Sequence, residues 1–290
     1  MPAWDRRMTA LNENWEASRS FLFNIMVSAQ GSFGSSVCMQ CQERQWMLQC
    51  VECGSKRLCS ACDAQVHEQY PFHDREAFVD GCFKHIPPTI SVDESGKLKE
   101  TVKWLKPSTL PSMCSVCHEE GTLTLNPASG FLVVVNQKGR FDFNNCVCCC
   151  SGCGFTPTIW SLRDVIKAGY WPGSPKNSTY LFDQNLFHYW DCLQNRMPGT
   201  SEVSFLKALG DFSQAKGRAF TITRTFSRAF KEWKFCIFEM DQAQGISWMS
   251  CPTCGVDQHS CHVDGNMKLY RYKTSGMLES VLFHVFLWTI

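Results

Sequence analysis

The sequence predicts an α+β chain: small cysteine-rich modules, then a helical region, then the start of a further strand-bearing unit. Three observations carry that reading. Nineteen cysteines in 290 residues recur as Cys-x-x-Cys pairs with histidines downstream. "TLTLN", "FLVVVNQ" and "RFDF", within residues 111–155, read as strands separated by the turn signals "PASG" and "KG". Residues 158–245 hold apolar-periodic segments with helix start and stop signals. An apolar content of 44% and a charged content of 19% are those of a folded protein. The net charge of +1 confines any nucleic-acid contact to a local patch.

The cysteines read as reduced metal ligands rather than disulfides, because a disulfide has no use for a histidine at ligand spacing. The apolar "FLFNIMV" near the N-terminus follows the acidic "LNENWEASRS" and lacks a basic leader. A nuclear or cytosolic protein is expected, not a secreted one. No run reaches about 18 apolar residues, so no membrane partner is expected. No small-molecule substrate is expected either.

Taken in order, residues 1–36 are weakly patterned and predict a weakly ordered segment ending in "QGSFGSS". Residues 37–80 contain Cys38, Cys41, Cys50, Cys53, Cys59, Cys62, His67 and His73. Eight ligands suit two tetrahedral Zn²⁺ ions, and metal binding would supply the folding energy that so short a module lacks. Cys82 and His85 lie past the pattern and read as non-ligands. Residues 81–110 read as a Pro-flanked linker with one short strand. Over 111–172, a hairpin or three-stranded meander would return the chain and bring Cys114 and Cys117 to a later cysteine group, the logic of a zinc ribbon. That group offers two registers, Cys146 with Cys149 or Cys150 with Cys153. The small residues of "CSGCG" favour the second. About three structural zinc ions are expected in all.

The first constellation resembles a type 1 B-box of the tripartite-motif family. The resemblance implies a cross-brace: Cys38 and Cys41 share one zinc with Cys59 and Cys62, while Cys50 and Cys53 share the other with His67 and His73. Further on, "FDFNNCVCCCSGCGFTPTIWSLRDVIKAGYWPGSP" and "YLFDQNLFHYWDCLQNRMPGTSEVSFLKALGDFSQAKGR" resemble the CxC-type cysteine-cluster domain associated with KDZ (Kyakuja–Dileera–Zisupton) transposases. "ISWMSCPTCGVDQHSCHVDGNMKLYRYK" is similar to the entry of the transposase domain itself. These resemblances imply a transposon-derived, zinc-rich nuclear protein.

The region 173–245 reads as helical. "SLRDVIKAG", just before it, has a Ser-x-x-Asp start and a Gly stop; "DQNLFHYWDCLQNR" ends before "MPG"; "SEVSFLKAL" stops at Gly210. Arg224, Arg228 and Lys231 fall at i, i+4 and i+7, and Phe226, Phe230 and Trp233 do the same on another face. The aromatics read as core. The basic residues read equally well as a DNA-phosphate face or as a solvated helix surface.

Residues 246–290 open with Cys251 and Cys254, a possible further zinc pair with His259, Cys261 or His262. The family resemblance makes Asp264 the first carboxylate of an RNase H-like core rather than an Asp-Gly turn. Such a core needs two Mg²⁺ ions held by several carboxylates, and the one later acid is Glu279. The sequence therefore predicts an incomplete transposase-like start and an interaction module without catalysis of its own, with DNA or protein as partner. Two other readings stay open: one part of an active KDZ-type transposase completed by another chain, which would bring in Mg²⁺, or a B-box scaffold in ubiquitin or chromatin pathways.

Overall fold

The computed structural model describes residues 2–30, 36–106, 112–176, 179–222 and 225–245. Arg224, Cys251, Cys254 and Asp264 lie outside the described residues. The mixed α and β composition is as predicted, but the boundaries between elements differ in several places.

The first difference is at the N-terminus, where a weakly ordered segment was expected. Ala3–Gln30 forms a 28-residue helix, α1. No Gly or Pro interrupts it, and Ala, Leu, Met, Glu and Arg supply helix propensity.

The first module is a four-stranded antiparallel sheet with one helix. Its strands are β1 (Leu48–Cys50), β2 (Lys56–Leu58), β3 (Arg75–Val79) and β4 (Cys82–Ile86), in the order β2-β1-β3-β4. Helix α2 (Ser60–Gln69) lies between β2 and β3 in the chain. The apolar core is thin: Leu48, Ala77, Ile86 and Val92 form one cluster, and Leu58 packs among cysteines in another.

The expected linker over 81–110 is corrected by these strands. β4 pairs along β3 from Arg75↔Ile86 to Val79↔Cys82. β5 (Ile90–Val92) and β6 (Leu98–Glu100) form a hairpin of their own. The buried Arg75 guanidinium ties this stretch down, donating to the carbonyls of Pro87, Pro88 and Ile90. Alternation across so few residues is too weak a strand signal to compete with the prolines beside it.

The second unit is built on a long hairpin, β7 (Leu123–Asn136) and β8 (Gly139–Cys150). Gln137 and Lys138 form its turn, and Gly139, the glycine of "KG", opens β8 at φ +97. "PASG" is not a turn: it is a register shift between Pro127 and Phe131 inside β7, with the same partner on both sides. Pro127 lacks the N–H for a regular ladder and is accommodated at that irregularity. Two further strands, β9 (Tyr170–Pro172) and β10 (Tyr180–Asp183), complete the order β8-β7-β10-β9. β10 runs parallel to β7, pairing Tyr180–Phe182 with Val133–Val135. The region 173–245, read as helical, thus contributes the strand β10 to this sheet.

Both faces of the sheet are covered, which explains why "FLVVV" is apolar without alternation. Val133, Val135 and Phe182 face α4 (Gln184–Arg196), α5 (Glu202–Ala215) and α6 (Thr225–Ala243). Leu132, Val134, Phe141, Phe143 and Leu181 face Val165 of α3 (Leu162–Lys167) together with Leu105. Helix α3 has the expected capping box, Ser161 with Asp164. Asp183 caps α4 through the Asn185 amide. α5 does not stop at Gly210 but runs to Ala215. An added Cβ on Gly210 would lie 2.6 Å from the Phe220 carbonyl, so this glycine serves a close packing contact rather than a helix end.

The two units are joined directly. Phe72, from the loop after α2, packs edge-on against Phe141 at 5.2 Å and Phe143 at 5.6 Å. Glu52 pairs with Lys138, and Asp74 with Arg218. Gly217, at φ +70, lies so close to the His85 carbonyl that an added Cβ would be 2.4 Å away.

Candidate metal centres

Three groups of four ligands converge among the described residues: Cys38, Cys41, Cys59 and Cys62; Cys50, Cys53, His67 and His73; Cys114, Cys117, Cys150 and Cys153. Their donor atoms lie within 4.8 Å of one another in each group. The chain is led into them by one recurring device. Four Cys-x-x-Cys knuckles are each followed by a residue in the left-handed region: Gln42 (φ 57), Gly54 (φ 75), His118 (φ 59) and Gly154 (φ 72). The turn folds backbone amides toward the sulfurs. The fifth pair, Cys59 and Cys62, instead sits at the start of α2.

The spacings test the fit to a metal. A tetrahedral ion with Zn–S near 2.3 Å sets sulfurs about 3.8 Å apart and sulfur from imidazole nitrogen about 3.6 Å apart. Cys41 and Cys59 sulfurs are 3.9 Å apart. Cys114–Cys153 and Cys117–Cys150 are each 3.6 Å. Cys53 Sγ lies 3.7 Å from His67 Nε2, and Cys50 Sγ lies 3.7 Å from His73 Nδ1. These separations are far beyond a disulfide bond of about 2.05 Å. The donor sets fit Zn²⁺ and the pairing is the interleaved one.

The second group is held by partners the sequence did not reveal. His67 Nδ1 lies 3.0 Å from the Asp63 carbonyl and 2.9 Å from Asp63 Oδ1. The N–H points better at the carbonyl, which leaves Oδ1 without a well-directed hydrogen bond. Asp63 Oδ2 accepts from Arg75 Nη1 at 2.7 Å. This fixes Nδ1 as the protonated nitrogen and turns Nε2 toward the cysteines. Burial opposes a charge on either partner. The close ion-pair contact between them, with Arg75 beside Asp63, prevails, so Asp63 is held below the usual carboxylate range and His67 is raised to about 9. Asp63 sits one turn before His67 on α2, the only trace the sequence carries of it.

The thiols show how a metal would be taken up. Burial resists ionisation of Cys38, yet amides of Cys41, Cys59 and Gln40 bring it down to about 6, while burial and neighbouring sulfurs push Cys62 to about 12. In the third group the Thr122 hydroxyl, 3.3 Å from Cys150 Sγ, and the amides of Cys153 and Gly152 lower Cys150 to about 6. Cys153 accepts an N–H from Phe155 that would lower it, but burial and adjacent sulfurs carry it up to about 12. Each all-cysteine group thus offers a ready thiolate to an arriving cation and leaves another proton for the cation to displace.

The other candidates fall elsewhere. Cys146 and Cys149 belong to none of the three groups; they lie along β8 opposite Pro127 and Thr124. Burial pushes the Cys146 thiol up, which favours its neutral form. Cys82 is exposed and His85 lies 3.4 Å from Glu76, both outside the ligand sets. On α6, Phe226, Phe230 and Trp233 are buried, and Arg228 and Lys231 are exposed. Arg218, shortly before α6, is buried with its guanidinium 4.0 Å over the Phe141 ring. Lys234 pairs with Asp191 at 2.6 Å. No helix among the described residues is long and apolar enough to cross a membrane.

No curated protein and no solved structure matches the chain. A family-model match begins at Leu105, where the chain enters the second core, and takes in the ribbon, the third ligand group, the whole second sheet and α3 to α5. Residues 105–216 match the family model described as "CxC3 like cysteine cluster associated with KDZ transposases".

Proposed function

We propose that this chain is a zinc-stabilised interaction module that accompanies a KDZ-type transposase and docks on DNA in the nucleus. The observation that carries the structural role of the metal is closure: each group supplies four protein donors, leaving no position for water or substrate. Zinc in such a set shapes the chain. It does not polarise a reactant. The DNA face of this reading is α6, whose aromatic stripe is buried on the sheet while Arg228 and Lys231 remain exposed on the solvent side. Two cations are a modest phosphate contact, so affinity is expected to be weak and to fall with salt at a log–log slope of only about −2.

The test pairs native mass spectrometry with DNA titration. Three zinc ions per chain, and binding that weakens with salt and is lost in a chain carrying Arg228→Glu with Lys231→Glu, support the proposal. Binding unaffected by that double substitution moves the DNA face elsewhere. A second reading follows from the ligand pairing of the first module, which is the pairing that a B-box-like cross-brace requires. On that reading the module recruits a protein, and the double substitution changes nothing while a partner is lost with Cys59→Ser.

A further inference from the structure

Helix α1 belongs to neither unit. None of the apolar clusters among the described residues includes it. Yet positions 4, 8, 11, 15, 18, 22 and 25 step by four and three throughout, the spacing of a coiled-coil seam. Six are apolar: Trp4, Met8, Leu11, Trp15, Leu22 and Ile25. Ser18 is the exception. Trp4 is 67% exposed, Trp15 56%, Leu11 46% and Ile25 47%. A 28-residue helix with this surface is expensive to leave in water.

We propose that α1 is a self-association element, pairing with α1 of a second copy as a parallel two-stranded coiled coil. The period argues for a helical partner of the same period, because a repeat of 3.5 keeps its seam aligned only against a matching seam. Within the described chain, α4, α5 and α6 already bury their apolar faces on the sheet, so none of them supplies that seam. With aromatic side chains contributing about 150–250 Å² each, the seam offers roughly 600 Å² per helix. Two copies together pass the roughly 1,000 Å² expected of a specific interface.

Direction follows from the flanking positions. In a parallel pair, Arg7 faces Asn12 of the second copy and Asn14 faces Arg19, so no like charges meet. Phe21 faces Met26 and extends the apolar contact at the C-terminal end; they are 68% and 67% exposed on the lone helix. An antiparallel pair aligned over the full seam sets Asn14 against Phe21 and Asp5 against Met26, wasting both apolar groups.

The test is sedimentation equilibrium of the full zinc-loaded chain across the micromolar range. A dimer is expected. Leu11→Glu combined with Leu22→Glu should give a monomer with an unchanged zinc count, whereas Glu13→Lys, on the opposite face, should leave the dimer intact. A wild-type monomer throughout that range, or a dimer that survives the double substitution, overturns the proposal. Ser18→Cys tests direction: its side chains face each other in the parallel register, so mild oxidation should give a disulfide joining residue 18 of both copies, located by peptide mapping. A dimer that never forms that link is not parallel. Zinc count and DNA binding are read separately, so failure here leaves the proposed function untouched, and the reverse.

Discussion

The first module and the sheet-and-helix unit differ in what holds them shut. Between residues 36 and 100 the buried apolar side chains outside the cysteines are few and mostly small, Leu48, Leu58, Ala77, Ile86 and Val92 with Trp46 the one buried aromatic. The second unit buries Phe141, Phe143, Phe182, Phe187, Trp190, Phe226 and Trp233 nearly completely. The placing of ligands differs in the same sense. The first two groups interleave, one spanning residues 38–62 and the other 50–73, so ions held there would tie that whole stretch together. The third group closes only the far end of the β7–β8 ribbon, remote from the aromatic core. The same four-cysteine donor set therefore helps to define a fold in one place and finishes an edge in the other.

The largest effect that would break this comparison is metal loss. A structural zinc contributes on the order of 10–16 kcal/mol in apparent terms. Cys59→Ser leaves three ligands around one ion, and the amide spectrum of residues 36–100 should collapse toward that of an unfolded chain. Cys150→Ser should release one zinc and disorder the ribbon end, yet leave the indole signals of Trp190 and Trp233 in place. If both substitutions unfolded the chain equally, the distinction between the two units would fall.

Next in size is the contact between them. Phe72→Ala removes a ring wedged against Phe141 and Phe143, a loss of about 3 kcal/mol. Thermal melts should then split into a zinc-dependent and a zinc-independent transition. A single sharp transition at reduced temperature would instead mean that the salt bridges of Lys138 and Arg218 suffice to couple the units.

Asp63→Asn should weaken zinc at the histidine-containing group by about tenfold to a hundredfold. It should also move the pH response. Without metal, His67 holds a proton up to about 9, so zinc must displace that proton at any lower pH. Affinity should therefore rise with pH until about 9 in the native chain. With Asn in place of Asp63 the imidazole returns toward its ordinary value of about 6.5 and the break moves down. A competition titration with a chromophoric chelator across this range reads both effects; an unmoved break would deny Asp63 its positioning role.

The smallest effect lies in the knuckles. His118 adopts φ 59, a conformation that disfavours side chains with a Cβ. His118→Gly should strengthen the third group by about 0.5 kcal/mol, the relief of strain being partly offset by glycine's entropy. Slower zinc transfer to chelator is the readout, and faster transfer would show that the histidine ring itself contributes.

The grouping of candidate ligands was the most legible part of the sequence because metal chemistry dictates their spacing. The twelve residues gathered in three groups could be named from Cys-x-x-Cys pairs and downstream histidines. The start of α3 was legible too, since the capping pair Ser161 and Asp164 acts within a few residues. What was not legible depends on distant partners. β10 is a strand because Val133–Val135, some 45 residues earlier, offer it an edge. Gly210 looks like a stop signal but exists to admit Phe220. Arg218 is a surface residue type in the sequence, while Asp74 and Phe141 draw it inside. Asp63 and Arg75 are ordinary surface residue types in the sequence, and only folding shows that they brace a ligand.

Phe72 lies one residue before the ligand His73, and the rings that receive it are Phe141 and Phe143. On a ribosome adding about 5–20 residues per second, those rings emerge roughly 4–14 s after Phe72 does. All eight ligands of the first two groups precede them in the chain. The order of synthesis thus gives the metal first claim on the loop, before the later rings can capture Phe72 in a metal-free arrangement. Zinc supply during translation, rather than afterwards, would then govern how much of the chain reaches its joined form.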